Sequence, residues 1–187
     1  MAGETDSGID PGREALLQAL RDGDVRFVLI GGAALESHKQ PHRTEDIDIT
    51  PDREDGNLQR LGDVLNRLEC RLEIDPNRPE AAIELPPDYF TAASLGRAAV
   101  WNLRTVHGKI DLTVAPSGFP DGYTELSPDA RIGRVHATRI EVAIASLADV
   151  EHSKRVADRP KDRAYLQRVG RLDPPPMERK SVSRDRG

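Results

Sequence analysis

The sequence has a single cysteine, Cys70, and only seven aromatic side chains: three Phe, three Tyr and one Trp. One thiol excludes an internal disulfide, and this fits a reducing, cytoplasmic setting. So few aromatics imply a core built from Leu, Ile, Val and Ala. The longest nearly unbroken apolar run, Phe27 to Leu35, falls far short of the about 20 residues that cross a bilayer, so no membrane association is expected. The opening MAGETDSGIDPG is acidic and polar, unlike a secretory signal. Internal repeats and heptads are missing as well, which excludes solenoids and coiled coils.

What is present is length and charge. With 187 residues the chain can form one domain and hide roughly 70% of its unfolded surface. Charged residues make up 32% and the net charge is −5, unevenly spread. Residues 151–187 carry 11 Lys/Arg against 6 Asp/Glu, whereas the first 150 carry 16 against 26. An acidic body concentrates metal cations and a basic C-terminal part meets phosphates, though a solvated surface with a basic tail has the same composition.

Residues 1–11 read as a disordered N-terminus. Residues 12–21 place Leu16, Leu17 and Leu20 on one face of an amphipathic helix. Val25–Ile30 is a short β-rich run ended by Gly31-Gly32, and Ala33–His38 reads as a helix. Asp46–Thr50, DIDIT, alternates with period two and so forms a strand with Asp46 and Asp48 on one side. Asn57–Leu68 is predicted helical and Arg71–Ile74 extended. The Pro-rich stretch 75–88 is predicted as loop. Val100–Val106 and Lys109–Val114 form two strands joined at His107-Gly108. Residues 116–129 are predicted as loop, Arg139–Ala143 as strand and Leu147–Ala157 as helix. Pro160 opens a last helix that ends near Gly170, and 172–187 form a flexible basic tail. The order of elements predicts an α+β or mixed α/β core over residues 12–145, with C-terminal helices at 146–171 packed on it.

Aspartate is a poor strand former, yet DIDIT holds two on one side. Like charges that close are costly unless a cation neutralises them, and Mg²⁺ suits a site of hard oxygens completed by water or phosphate. Asp111 lies in a similar setting within KIDLTV. Three strand carboxylates converging on two metal ions would assist in-line displacement at phosphorus. Strand, diglycine and helix would direct backbone N–H groups at a phosphate, although a tight turn alone accounts for the glycines.

These stretches carry a resemblance. FVLIGGAALESHKQPHRTEDIDIT (27–50) resembles the signature of the DNA polymerase β-like nucleotidyltransferase superfamily: strand, Gly-Gly/Ser turn, helix, then a T/S-x-D-x-D strand. GKIDLTVAP resembles the strand that bears the third acid of that superfamily. SLADVEHSKRVADRPKDRAYLQRV (146–169) is similar to the C-terminal helices of small bacterial members, among them AbiEii/MenT-like toxins of toxin–antitoxin pairs. The resemblance spans roughly residues 25–170. It implies a nucleotidyltransferase (polymerase β-like) fold, a mixed sheet flanked by helices with further helices at the C-terminus. It also implies Mg²⁺, two ions bound by Asp46, Asp48 and Asp111, and NTP as substrate. Asp111 would help deprotonate the attacking hydroxyl. Gly31, Gly32, Thr44 and Arg43 would contact the triphosphate, Lys154 would set a positive charge on a phosphate, and Asp162 matches an acid of the toxin-like members. The implied activity is nucleotidyl transfer to a tRNA 3′ end, with a cognate antitoxin as partner. A small antibiotic-type acceptor, or a non-catalytic binding module, is the alternative. Ala33 departs from the serine of many members, and the glycine-to-acid spacing exceeds that of minimal antitoxin-type members.

Each residue also has a plainer reading. Lys154 reads equally as a solvated helix charge, Asp162 as an acid favoured in a first helical turn, and Arg43 as the partner of Glu36 or Glu45 in a surface ion pair. His38 and His42 are four apart, but Pro41 breaks a helix between them, so zinc is not expected. Cys70 and Trp101 are expected in the core.

Overall fold

The computed structural model describes residues 8–171. The expectations for residues 1–7 and for the tail at 172–187 lie outside the described residues. The fold is α+β, as expected: among the described residues one eight-stranded mixed sheet carries seven α-helices, the last two following the final strand.

Helix α1 spans Pro11–Asp22. Asp10 caps it by accepting from the Arg13 amide at 3.0 Å, and Pro11 occupies the first turn, where a missing N–H costs nothing. Residues 10 and 11, expected in the disordered N-terminus, are therefore ordered; the Asp10 amide also donates to Ala137 O. The apolar face of α1 buries Leu16, Leu17 and Leu20.

Strand β1 (Phe27–Ile30) runs into α2 (Gly31–Ser37), so the diglycine lies in the first helical turn and not in a loop before it. Strand β2 is Ile47–Pro51, one residue later than DIDIT suggests, which leaves Asp46 on the bend just ahead of the strand. Helix α3 (Asp55–Arg67) begins where the Glu54 carboxylate accepts from two amides, of Gly56 and Asn57. Strand β3 (Arg71–Leu72) follows, then a 3-10 turn at Pro79–Ala81, β4 (Ile83–Glu84) and α4 (Ala92–Leu95), the last with a Thr91/Ser94 capping box. The hairpin of β5 (Val100–Thr105) and β6 (Gly108–Thr113) matches its expectation. After α5 (Tyr123–Leu126) come β7 (Arg131–Arg134), β8 (Glu141–Ile144), α6 (Leu147–Ala157) and α7 (Pro160–Arg168). Asp158, left-handed at φ 48°, ends α6, and Pro160 restarts the helix in a new direction.

The sheet order is β4-β3-β5-β6-β2-β1-β8-β7. Two of its pairings matter for the site: β1 is antiparallel to β2, and β2 is parallel to β6. A parallel pair needs a long crossover, and here the whole excursion from α3 to β5 supplies it. The core is aliphatic, with Val28, Leu29, Ile47, Ile49, Ile110 and Leu112 from the central strands. Trp101 and Cys70 are buried as expected, the indole N–H donating to Leu95 O at 3.3 Å. No helix among the described residues is long and apolar enough to cross a membrane.

Candidate active site

The β2–β6 register decides where the acids meet. Ile47 pairs with Ile110, Asp48 with Asp111, and Ile49 with Leu112, so the isoleucines and leucine point into the core and the two aspartates share the other side. Both carboxyls are half-buried. Burial pushes Asp48 from its ordinary value of 3.8 up to about 6, against the pull of the Gly32 amide, and the negative charge of Asp46 pushes it further. Burial likewise carries Asp111 up to about 7, with Asp48, Asp46 and Glu73 adding repulsion. The three acids expected from the sequence therefore lie within electrostatic reach of one another.

The donor set is open. Among the described residues no three His, Cys, Asp or Glu side chains stand close enough to form a finished metal cage. Asp111 Oδ1, however, is buried without a hydrogen-bond partner. An orphaned buried carboxylate oxygen costs about 1–3 kcal/mol, and repulsion adds to this. Clustered hard oxygens, one of them lacking a donor, whose protons are held by burial and then by mutual repulsion, fit a divalent cation of the Mg²⁺ type that completes its shell with waters and ligand phosphates.

Gly31 and Gly32 press α2 against these acids. Gly31 sits at φ +62°, and a Cβ there would overlap the Asp48 carboxylate. The Gly32 amide donates to Asp48 Oδ2 at 3.4 Å, so it addresses the acid directly and not open space. A Cβ on Gly32 would meet His42 Nε2 and Thr44 Cβ, each at 2.8 Å. Gly31→Ala is thus expected to cost roughly 1–2 kcal/mol from the left-handed backbone alone and to displace Asp48; thermal melts and Mg²⁺ titration of the variant check both.

Thr44 and Asp46 are held by a pair that sequence reasoning missed. Arg13 on α1 and Glu36 on α2 form a buried ion pair at 2.8 Å. Glu36 Oε1 accepts from the Thr44 amide at 3.1 Å, and Arg13 donates to Thr44 O at 2.6 Å and to His136 O at 3.3 Å. Thr44 Oγ1 then accepts from the Asp46 amide at 3.3 Å. Glu36 is therefore the partner of Arg13, and the surface pair with Arg43 considered above does not form; Arg43 is exposed and has no ion-pair partner among the described residues. The signal for Arg13 was its spacing: with Leu16, Leu17 and Leu20 it falls on the apolar face of α1.

Lys154 and Asp162 come together as one unit. Asp162 is fully buried, and its two oxygens accept from Lys154 Nζ at 2.9 Å and from Arg159 Nε at 2.6 Å. Burial alone would raise this carboxyl, but those two hydrogen bonds and charges outweigh it and hold it below the usual range. With both oxygens engaged and no exposed surface, Asp162 is placed to position the two cations, not to touch a nucleotide itself. Arg159 is a second residue the sequence reading overlooked. Lys154 Nζ also lies 5.5 Å from the Tyr165 ring centre. A cleft of about 150 Å³ joins these groups to Asp48; Gly31, Asp48, Phe119, Asp149, Lys154 and Arg159 line it. His38, excluded as a zinc ligand, instead meets Ala145 O at 2.8 Å.

No family model matches the chain, and no curated protein matches it in sequence. Solved structures resemble it at the level of the overall chain path. A provisionally assigned nucleotidyltransferase from Thermotoga maritima shares 11% identity, covering 89% of this chain and 98% of its own, with a TM-score of 0.49. The antibiotic-resistance factor ANT(2'')-Ia shares 16% identity over 87% of this chain and 86% of its own, with a TM-score of 0.48.

Proposed function

We propose that this chain transfers a nucleoside monophosphate from an NTP to a hydroxyl, releasing pyrophosphate. The observation that carries this reading is the shared register of Asp48 and Asp111, with Asp111 Oδ1 buried and unpartnered and a half-buried lysine lining the same cleft as Asp48. Asp46, Asp48 and Asp111 would hold Mg²⁺, two ions by the sequence resemblance; bound there, the metal would polarise the transferred phosphoryl group and neutralise charge that builds on its oxygens. Lys154, steadied by Asp162, offers a point charge to the departing pyrophosphate. Asp111 would help take the proton of the attacking hydroxyl, as the sequence resemblance implies. The phosphorus–oxygen bond to pyrophosphate breaks as the bond to the acceptor oxygen forms, and catalysis is mostly positioning and charge neutralisation. Gly31 and Gly32 keep backbone close to this point, and Thr44 holds the Asp46 amide there; Arg43, implied at the triphosphate by the resemblance, lies instead along a separate groove beyond α2.

For the acceptor, the likeness of residues 146–169 to AbiEii/MenT-like toxins supports a tRNA 3′ end, with growth inhibition as the outcome and a cognate antitoxin as the partner that restrains it.

The test is incubation with Mg²⁺, each labelled NTP in turn and total tRNA, beside Asp46→Ala. Label in tRNA, lost in the variant while its melting temperature stays near that of the parent, is the expected result. Transfer undiminished in Asp46→Ala would sink the assignment of the acids, and label that never enters RNA would remove the tRNA reading.

A further inference from the structure

A second concavity opens beside the acids. It is a broad groove of about 890 Å³ between the loop that follows α2 and the outer face of α7. Lys39, Arg43, Lys161 and Arg168 line it, all four exposed, and none has an ion-pair partner among the described residues. The carboxylate at its edge, Glu36, is already matched by Arg13. The groove thus carries four uncompensated positive charges in a body that is otherwise acidic. Its walls are tied together: Arg168 donates to Pro41 O at 2.5 Å, fastening the loop to α7. His42 forms its inner end, its ring edge-on to Tyr165 at 6.0 Å and its Nε2 beside Gly32. The groove therefore runs up to the first turn of α2, where Asp48 sits.

We propose that this groove carries the sugar–phosphate backbone of a single-stranded RNA, delivering its terminal hydroxyl to the acids. This rests on the nucleotidyl-transfer reading and adds the surface that holds the acceptor. A chain with one phosphate per nucleotide matches a row of separated cations, and it ends in the hydroxyl that the acids need. An acidic protein fits less well. Apart from Pro41 and Ala164 the lining is polar or charged, and Tyr165 is only 2% exposed, so there is no apolar anchor of the kind that centres a protein interface. The NTP phosphates would not fill the groove either, because Lys154 and Arg159, their proposed partners, line a separate cleft.

The experiment is anisotropy of a fluorescent single-stranded RNA 12-mer across a salt series, for the parent and for Lys39→Ala/Lys161→Ala. Both lysines are exposed, and the melting temperature of the double variant is measured as a control for folding. Four phosphate contacts predict log K falling with log salt at a slope of about −3, reduced to roughly half in the variant. Polyglutamate at equal charge should fail to displace the RNA. An unchanged slope in the variant, displacement by polyglutamate, or no RNA binding at low salt would each overturn the proposal. RNA binding without transfer from any NTP would sink the transferase reading and leave the groove intact. Transfer to a small hydroxylated compound without RNA binding would do the reverse.

Discussion

Asp48→Asn is expected to lower nucleotidyl transfer by at least about 10³-fold, because it removes a ligand charge from the centre of the proposed metal site. The same change should make the protein more stable when no divalent cation is present. Asp48 is raised to about 6 and Asp111 to about 7, so in the fold both carboxyls hold protons more tightly than in the unfolded chain. The sign follows from that: the destabilisation is absent below about pH 4, grows as pH climbs to about 7, and is fully present above. Relieving it at Asp48 is worth on the order of 2 kcal/mol, roughly 4–8 °C in melting temperature at pH 8. Adding Mg²⁺ should stabilise the parent and not the variant. Melts at pH 4 and pH 8, with and without Mg²⁺, decide the matter; a variant that melts earlier than the parent at pH 8 without metal would contradict this account.

Arg13→Leu is expected to destabilise the fold by about 3–5 kcal/mol, since it strands Glu36 as an uncompensated buried charge. The loss extends beyond the pair. Arg13 also holds Thr44 O and His136 O, so the segment that sets Asp46 ahead of β2 loses its anchor. Glu36→Gln combined with Arg13→Leu should recover part of that stability, because no buried charge remains alone. Chemical denaturation of the two single variants and the double variant measures the coupling; strictly additive losses would show that the pair is not a unit. If the double variant regains stability while Mg²⁺ affinity stays impaired, the pair positions the acidic strand as well as stabilising it.

The parts of this molecule that were legible in its sequence are those whose pattern is local. Helix α6 falls at the expected residues, and β5, β6 and α7 lie within a residue or two of theirs, because apolar periodicity and Pro160 mark them. The acids on DIDIT and KIDLTV were legible because aspartate is out of place on a strand. The elements missed are those whose pattern comes from a partner. RIGR carries no alternation that marks a strand and becomes β7 only by pairing with β8 at the sheet edge; Ile83–Glu84 becomes β4 only beside β3. Helix α5 is one turn and lies in a stretch that Gly and Pro mark as loop, and α4, also one turn, is too short to show a period. In the site, Asp162 and Lys154 were read separately as a favourable helix charge and a phosphate ligand. Only the turn at Asp158 brings α7 back so that the two meet. Charges were read as facing water, and that assumption concealed Arg13 and Glu36.

The parallel pairing of β2 with β6 also has a consequence in time. The N-terminal third of the chain brings out Gly31, Gly32, Asp46 and Asp48, and Asp111 follows only after roughly 60 more residues. Closing a loop of that length is slow compared with forming its helices. During synthesis, at about 5–20 residues per second, the first acids leave the ribosome several seconds before the third. Lys154 emerges later still, and its last turns must clear the exit tunnel before α6 can dock. A partial product that stops between β2 and β6 has the glycines and two acids but lacks their counterpart. The proposed site therefore cannot assemble until nearly all of the protein has been made.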